Sequence, residues 1–235
     1  MIEWQLLHEG RCPARKNMSK DLELFEAVRV GTINGAFRIY NWKEPALTIG
    51  YHQKEFIPCD RSLSIPIIKR PTGGGAVLHK DDFTFSISAP LRGFFSDSLP
   101  DCSRIVGQAF ASAFQCSGVM ASLKGCDHAF SEICFDRASP YELVVEENKI
   151  MGLALARMGG FILIQGVIPL QVDHVLYSKV FGISRNKKPN GILEYYPGFS
   201  GGLFLDCLRN VFMSQLGVLL HECQEHGHKH SGTNE

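Results

Sequence analysis

The sequence predicts an α+β fold, a mixed and largely antiparallel sheet flanked by helices. Two clusters of strand-like alternation, 36–89 and 142–170, are separated and bordered by stretches of helical period. No GxGxxG follows a strand to open a helix, and no GxxxxGK[ST] occurs, which argues against a doubly wound nucleotide-binding sheet. At 235 residues and 45% hydrophobic, the chain can bury a full core as one domain. Residues 1–220 are expected to form it, with 221–235 as a disordered His-rich tail.

In chain order, Glu3–His8 reads as a short strand. Ser19 is placed to cap a helix through Val30, on which Leu22, Phe25, Ala27 and Val28 recur at helical spacing. Ala36–Trp42 alternates like a strand with one buried face, and Ala46–Gly50 and Ile65–Lys69 read as two more. In Phe83–Ala89, Phe83, Phe85 and Ile87 share one face, and Thr84, Ser86 and Ser88 the other. Ser103 is expected to start a helix whose stripe (Ile105, Val106, Ala109, Phe110, Ala113, Phe114) runs to Gly118. From Glu142 to Leu170 the period is β again, with a hairpin turning at Gly159-Gly160. Asp173–Phe181 reads as a short helix, Asn186–Tyr196 as a charged excursion, and Gly202–Leu220 as a final amphipathic helix.

Composition narrows the function. Twenty-four basic and 24 acidic residues give zero formal net charge, which argues against a nucleic-acid partner. No run of about 18 apolar residues exists, so no membrane partner is expected. MIEWQLLHEG lacks the basic start and cleavage site of an export signal, and a cytoplasmic protein is expected. The eight cysteines form no CxxC pair, so neither a zinc ribbon nor a disulfide framework is indicated. His221, Cys223, His226, His228 and His230 carry ligand types without fixed geometry, and no metal site is assigned.

Chemistry concentrates in two stretches. In IIKRPTGGGAVLH, an apolar run ends at Lys69 and Arg70, and Gly73, Gly74 and Gly75 then lead into a second run at Ala76. Three residues without Cβ can turn their N–H groups to one point and admit a ligand closely, and the adjacent cations favour an anion or a polarised acyl oxygen. A tight hairpin needing only positive φ is the alternative. In CFDRASPYELVVEENKIMGLALA, Cys134 lies in loop-like sequence with Asp136, Arg137, Ser139 and Pro140. A loop cysteine near cations can serve as a nucleophile, although most cysteines are inert. Lys149 heads a strand, where spacing alone puts a lysine in solvent. Gly152 follows three residues later and leaves room for a ligand against the backbone.

KRPTGGGAVLH, with SPYELVVEENKIMGLALAR about sixty residues on, resembles the lipoate-protein ligase and octanoyltransferase family. Its members carry a basic-x-x-Gly-Gly-Gly-x-x-x-His loop and a later KxxGxA strand. KNMSKDLEL and FRIYNWKEPALTIGYHQ resemble the family's first helix and first hairpin, so the likeness covers roughly residues 2–170 in order. CFDRASPYELVVEENK is most similar to the cysteine-dependent octanoyl transferases.

The resemblance implies a biotin/lipoate protein ligase-like catalytic domain. It further implies that Cys134 takes an octanoyl or lipoyl group from acyl carrier protein as a thioester, and delivers it to the lysine of a lipoyl-domain protein. Lys149 then polarises the acyl carbonyl, and Arg70, Gly73, Gly74, Gly75, His79, Gly152 and Ala154 line the substrate. His79 fits either a catalytic role or a structural one holding the loop. Val77, Ile87, Leu153 and Ile164 are expected to wall a slot for the alkyl chain.

No cofactor is implied for the transferase. The alternatives are an ATP- and Mg-dependent lipoate ligase in which Cys134 is a bystander, and a catalytically silent binding or partner subunit. The sequence departs from the family pattern at Leu153, Leu155 and Gln165, where Ser, Gln and His are usual, and at Lys80 after His79.

Overall fold

The computed structural model describes residues 1–124, 132–135, 141–182 and 189–223. The loop reading of 136–140, the start of the excursion at 186–188 and the tail from 224 on lie outside them.

Strand β1 (Ile2–Cys12) leads through Pro13 into helix α1 (Ala14–Arg29), then β2 (Ala36–Trp42) and β3 (Ala46–Ile49). β4 (Ile67–Lys69) and β5 (Val77–His79) flank the glycine loop, and β6 (Asp81–Pro90) follows. Helix α2 (Leu99–Cys116) precedes three short strands, β7 (Ser122–Leu123), β8 (Leu143–Val145) and β9 (Asn148–Lys149). β10 (Gly152–Met158) and β11 (Phe161–Gln171) form the expected hairpin, with positive φ at Gly159 and Gly160. The chain ends through α3 (His174–Phe181), α4 (Ile192–Tyr195), α5 (Gly201–Leu216) and β12 (Val218–Glu222).

The main sheet has the order β10-β11-β6-β2-β1-β12. β1 pairs in parallel with both neighbours, and the remaining pairs are antiparallel. Phe37, Ile39, Phe85, Ile87, Ile162 and Ile164 face α2 and α5, where Phe110, Phe114, Phe204 and Phe212 complete an aromatic core. Phe85 and Phe110 stack at 4.4 Å, and each such ring, fully buried, stabilises the fold by about 1.5–3 kcal/mol. Gly166 is required there, because a Cβ would stand 2.0 Å from the Phe85 ring.

The opposite face differs from the expectation of one solvated side. Helix α1 lies across it, so Arg38, Thr84, Ser86 and Gln165 are buried too. A smaller sheet, β4-β3-β5, packs Leu47, Ile49 and Ala76 on Tyr177, Val180 and Phe181 of α3.

Several boundaries depart from the sequence expectation, among them β1, which runs on past His8 to Cys12. Helix α1 begins at Ala14, not Ser19, because its sheet-facing stripe carries the polar residues Asn17 and Asp21, both fully buried, which interrupt the apolar period. Helix α2 begins at Leu99, with Ser98 accepting from the Asp101 N–H as its cap. Within the excursion, 192–195 form α4. The last helix stops at Gly217 (φ 65°), and the residues beyond pair with β1, taking His221 and Glu222 into a strand. A Cys116–Cys207 disulfide also joins α2 to α5 across 91 residues of sequence, a pairing that cysteine spacing did not indicate. Among the described residues no helix is long and apolar enough to cross a membrane.

Candidate active site

Arg70 sits at the end of β4, 5% exposed, and turns its guanidinium back into the glycine loop. Nε and Nη2 donate to the Gly73 carbonyl at 3.1 and 2.6 Å, Nη2 to the Gly75 carbonyl at 2.8 Å, and Nη1 to Thr48 O and Oγ1 at 3.3 Å. Burial lowers its pKa, though nearby Cys134 and Tyr40 act the other way. The sequence suggested a cation facing an incoming anion. Instead these donors gather the loop's own carbonyls; the Gly73 N–H donates to Leu155 O at 3.4 Å, which leaves the Gly74 and Gly75 amides as the groups available to a ligand.

His79 is held on both ring nitrogens. Nδ1 is 2.8 Å from Asp82 Oδ2 and Nε2 is 3.0 Å from Thr48 Oγ1, while the ring stacks on Trp42 at 4.0 Å. Asp82, His79, Thr48 and Arg70 thus make one buried chain ending on the loop carbonyls. That geometry is compatible with the structural alternative for His79, which also lines the slot.

The loop also fixes the cysteine segment. Ala76 N–H donates to Glu132 O at 2.7 Å, and Cys134 N–H to Ala76 O at 3.0 Å. Gly75 permits this approach, since a Cβ would stand 2.7 Å from Glu132 O and 2.9 Å from Cys134 N.

Lys149 arrives from the other side on β9 and is 6% exposed, in contrast to the solvated lysine that its spacing suggested. Its Nζ lies 2.6 Å from Cys134 O, 3.4 Å from Cys134 Sγ, 2.7 Å from Glu142 Oε2 and 5.1 Å from the Phe135 ring centre. Burial pulls its pKa down, but the charges of Cys134 and Glu142 and their hydrogen bonds outweigh that and raise it. Lys149 therefore stays an ammonium. Glu142 also accepts from Leu153 N–H at 3.0 Å, which fixes the carboxylate on β10.

Gly152 closes the group: a Cβ there would stand 3.0 Å from Cys134 Sγ and 3.4 Å from Lys149 Cε. Ala154, one pleat on, borders the loop, 4.0 Å from where a Gly74 Cβ would lie.

Beside Cys134 lies a narrow slot of about 30 Å³ between the sheet and β5, lined by Met18, Tyr40, Val77, Leu153 and Val167. Val77 and Leu153 are where the sequence put them. Ile87 and Ile164 are not, because they pair with each other on the core-facing side of the sheet. One residue of parity decides the face.

Sequence reasoning missed the polar floor beside this slot. Asp21 accepts from Arg38 Nη1 at 2.8 Å, Tyr40 OH at 2.9 Å, Ser86 Oγ at 2.7 Å and Gln165 Nε2 at 2.6 Å. Gln165 Oε1 accepts from Thr72 at the loop, 2.7 Å away. The available signal was the i, i+4 pair Asn17 and Asp21 inside a helix, opposite an arginine in an apolar strand.

Arg70, Gly75, His79, Cys134, Lys149, Gly152 and Ala154 thus converge on one slot and its rim. The set offers a thiol, an ammonium beside it, loop amides and an apolar channel, the groups that acyl transfer through a thioester requires. Among the described residues no group of three or more His, Cys, Asp or Glu is arranged to hold a metal ion.

Residues 13–194 match the lipoyl protein ligase A/B catalytic domain. The octanoyltransferase LipM of Lysinibacillus sphaericus is 34% identical over 219 residues, covering 84% of this chain and 76% of that protein. The octanoyltransferase LipM of Geobacillus kaustophilus is 33% identical over 200 residues, covering 76% and 69%. A lipoate-protein ligase A bound with ATP superposes with a TM-score of 0.74 at 21% identity over 95% of this chain and 90% of its own. The bi-partite lipoate protein ligase of Thermoplasma acidophilum does so at 0.67 and 18% over 96% and 89%. At these identities the structural likeness concerns the fold.

Proposed function

Because this chain belongs to the lipoyl protein ligase A/B catalytic domain family, we propose that it is a cysteine-dependent octanoyltransferase, an acyltransferase of lipoate assembly. Its donor is octanoyl acyl carrier protein and its acceptor the lysine of a lipoyl domain, in the cytoplasm. Cys134 Sγ attacks the thioester carbonyl, and the tetrahedral oxyanion is met by the Lys149 ammonium and the glycine-loop amides. Collapse breaks the bond to the carrier's pantetheine sulfur, which leaves and takes up the proton given up by Cys134. The acceptor amine then attacks the Cys134 thioester; an amide forms, the amine loses a proton and the thiol is restored. A thioester is exchanged for a thioester in the first step and yields a more stable amide in the second, so neither step draws on ATP.

The observation that carries this reading is the 3.4 Å approach of Lys149 Nζ to Cys134 Sγ. Adenylate chemistry has no need of a thiol at that position. The test is to incubate the pure protein with octanoyl carrier protein and measure its intact mass, alone and with a lipoyl domain added. An octanoyl adduct, discharged to the lipoyl domain and lost in Cys134→Ser, is the expected result. ATP-dependent lipoylation without an adduct would overturn it in favour of the ligase.

A further inference from the structure

We infer that the groove outside the glycine loop, between α1 and β10, is where the acyl carrier protein docks through an acidic face, and that its pantetheine arm runs from there to Cys134; the inference rests on the thioester reading above. The groove holds about 900 Å³, against about 30 Å³ for the slot. Leu22, Tyr51, Leu99 and Met158 stay exposed on its walls, an apolar surface of the kind that marks a contact with a partner.

Its charge is one-sided. Arg15, Lys69, Arg70 and Arg157 line the groove and no Asp or Glu does, on a chain whose formal net charge is zero. Arg70 is turned into the loop, and Arg157 lies 3.8 Å from Asp97. Arg15 and Lys69 are exposed and face an incoming molecule. Cations around an apolar floor suit carboxylates on a partner's surface and the phosphate that joins pantetheine to its carrier.

Strand β10 connects the groove to the thiol. Its residues 152–154 line the slot and 155–158 the groove. From Gly152, whose Cβ would stand 3.0 Å from Cys134 Sγ, the strand runs about 17 Å to Arg157. That distance selects the occupant. At about 1.25 Å of advance per bond, the roughly fourteen bonds of a phosphopantetheine arm extend about 18 Å, and a lysine side chain about 6 Å. A carrier resting at the Arg157 end can therefore present its thioester to Cys134. A lipoyl domain in the same place cannot bring its lysine there.

The way across is bare backbone. Gly74 is exposed, and a Cβ at Gly73 would meet nothing within 4 Å. An arm leaving the groove passes over these two residues, where the missing side chains keep the surface low.

The test reverses the two exposed charges in Arg15→Glu/Lys69→Glu. An acidic residue in the first turn of α1 suits the helix dipole, so the fold should hold. Two half-reactions are followed by intact mass: acylation of Cys134 by octanoyl carrier protein, and discharge of the isolated acyl-enzyme to a lipoyl domain. Acylation at low carrier concentration should fall by about tenfold or more, with a weaker salt dependence than in wild type, since rim charges act on encounter. Discharge should not change. Should the double variant not fold, Lys69→Glu alone decides in the same way. Unchanged acylation overturns the docking surface, and so does an equal loss in both half-reactions. A loss confined to discharge overturns it in favour of the lipoyl domain. Wild-type protein that gains no adduct from octanoyl carrier protein overturns the thioester reading itself.

Discussion

The Glu142 carboxylate stands 2.7 Å from the Lys149 ammonium, both side chains 4% exposed, and this pair sets the charge that faces Cys134. Removing one partner strands a buried charge, so Glu142→Ala should lower stability by about 3–5 kcal/mol in denaturant unfolding. The sharper readout is pH. Glu142 raises the Lys149 pKa, and the acylation step proposed above uses the ammonium form. The alkaline limb of the acylation rate should therefore move to lower pH in Glu142→Gln. For stability the sign follows from the same shift. With a folded value above the ordinary lysine value of 10.5, the contribution of Lys149 is fully present below that value and is lost as pH rises through the folded one.

Gly152→Ala should separate activity from stability. The added Cβ would fall 3.0 Å from Cys134 Sγ, and the backbone there needs no glycine-only φ. The thiol must shift away from Lys149, and a misplacement on the order of 1 Å in a reacting group costs about a hundredfold in rate. Acylation should drop by that order while the unfolding midpoint changes little. Equal losses in both would mean that the glycine serves packing alone.

His79→Ala should act through the loop rather than through the chemistry. It leaves Asp82 and Thr48 without their ring partners, at a cost of about 1–3 kcal/mol for each buried polar group. Adduct formation should be slowed but not abolished, in contrast to Cys134→Ser. Complete loss of adduct in a folded His79 variant would instead make the imidazole catalytic.

Asp21→Ala should be the most destabilising change beneath the slot. Four donors converge on that carboxylate, and Arg38, fully buried, loses a charge partner. A loss of about 3–5 kcal/mol is expected by denaturant unfolding. Asp21→Asn keeps acceptor capacity in one oxygen and should lose less.

Much of the fold was legible in the chain because short-range rules produced it. The alternation in Phe83–Ala89, the Gly159-Gly160 turn and the capping Asp173 of α3 each depend on a few neighbouring residues. Where the rules failed, a distant partner had intervened. The apolar stripe of α1 is broken by Asn17 and Asp21, which are apolar-face errors until Arg38 and Gln165 are brought beneath them. β12 is invisible locally, since five residues after Gly217 become a strand only because β1 offers an open edge.

The site divides in the same way. By itself the sequence determined the family and the glycine loop, and through the resemblance it singled out Cys134 and Lys149 as candidates, because these rest on residue type and order. The tertiary structure decided that Lys149 is buried on a thiol 15 residues earlier, that Arg70 grips the loop instead of facing an incoming anion, and that Tyr40 rather than Ile87 or Ile164 borders the slot. The reason is physical. Burial, charge pairing and the face a strand presents depend on which segments meet across the sheet, and spacing along one chain carries no record of that meeting.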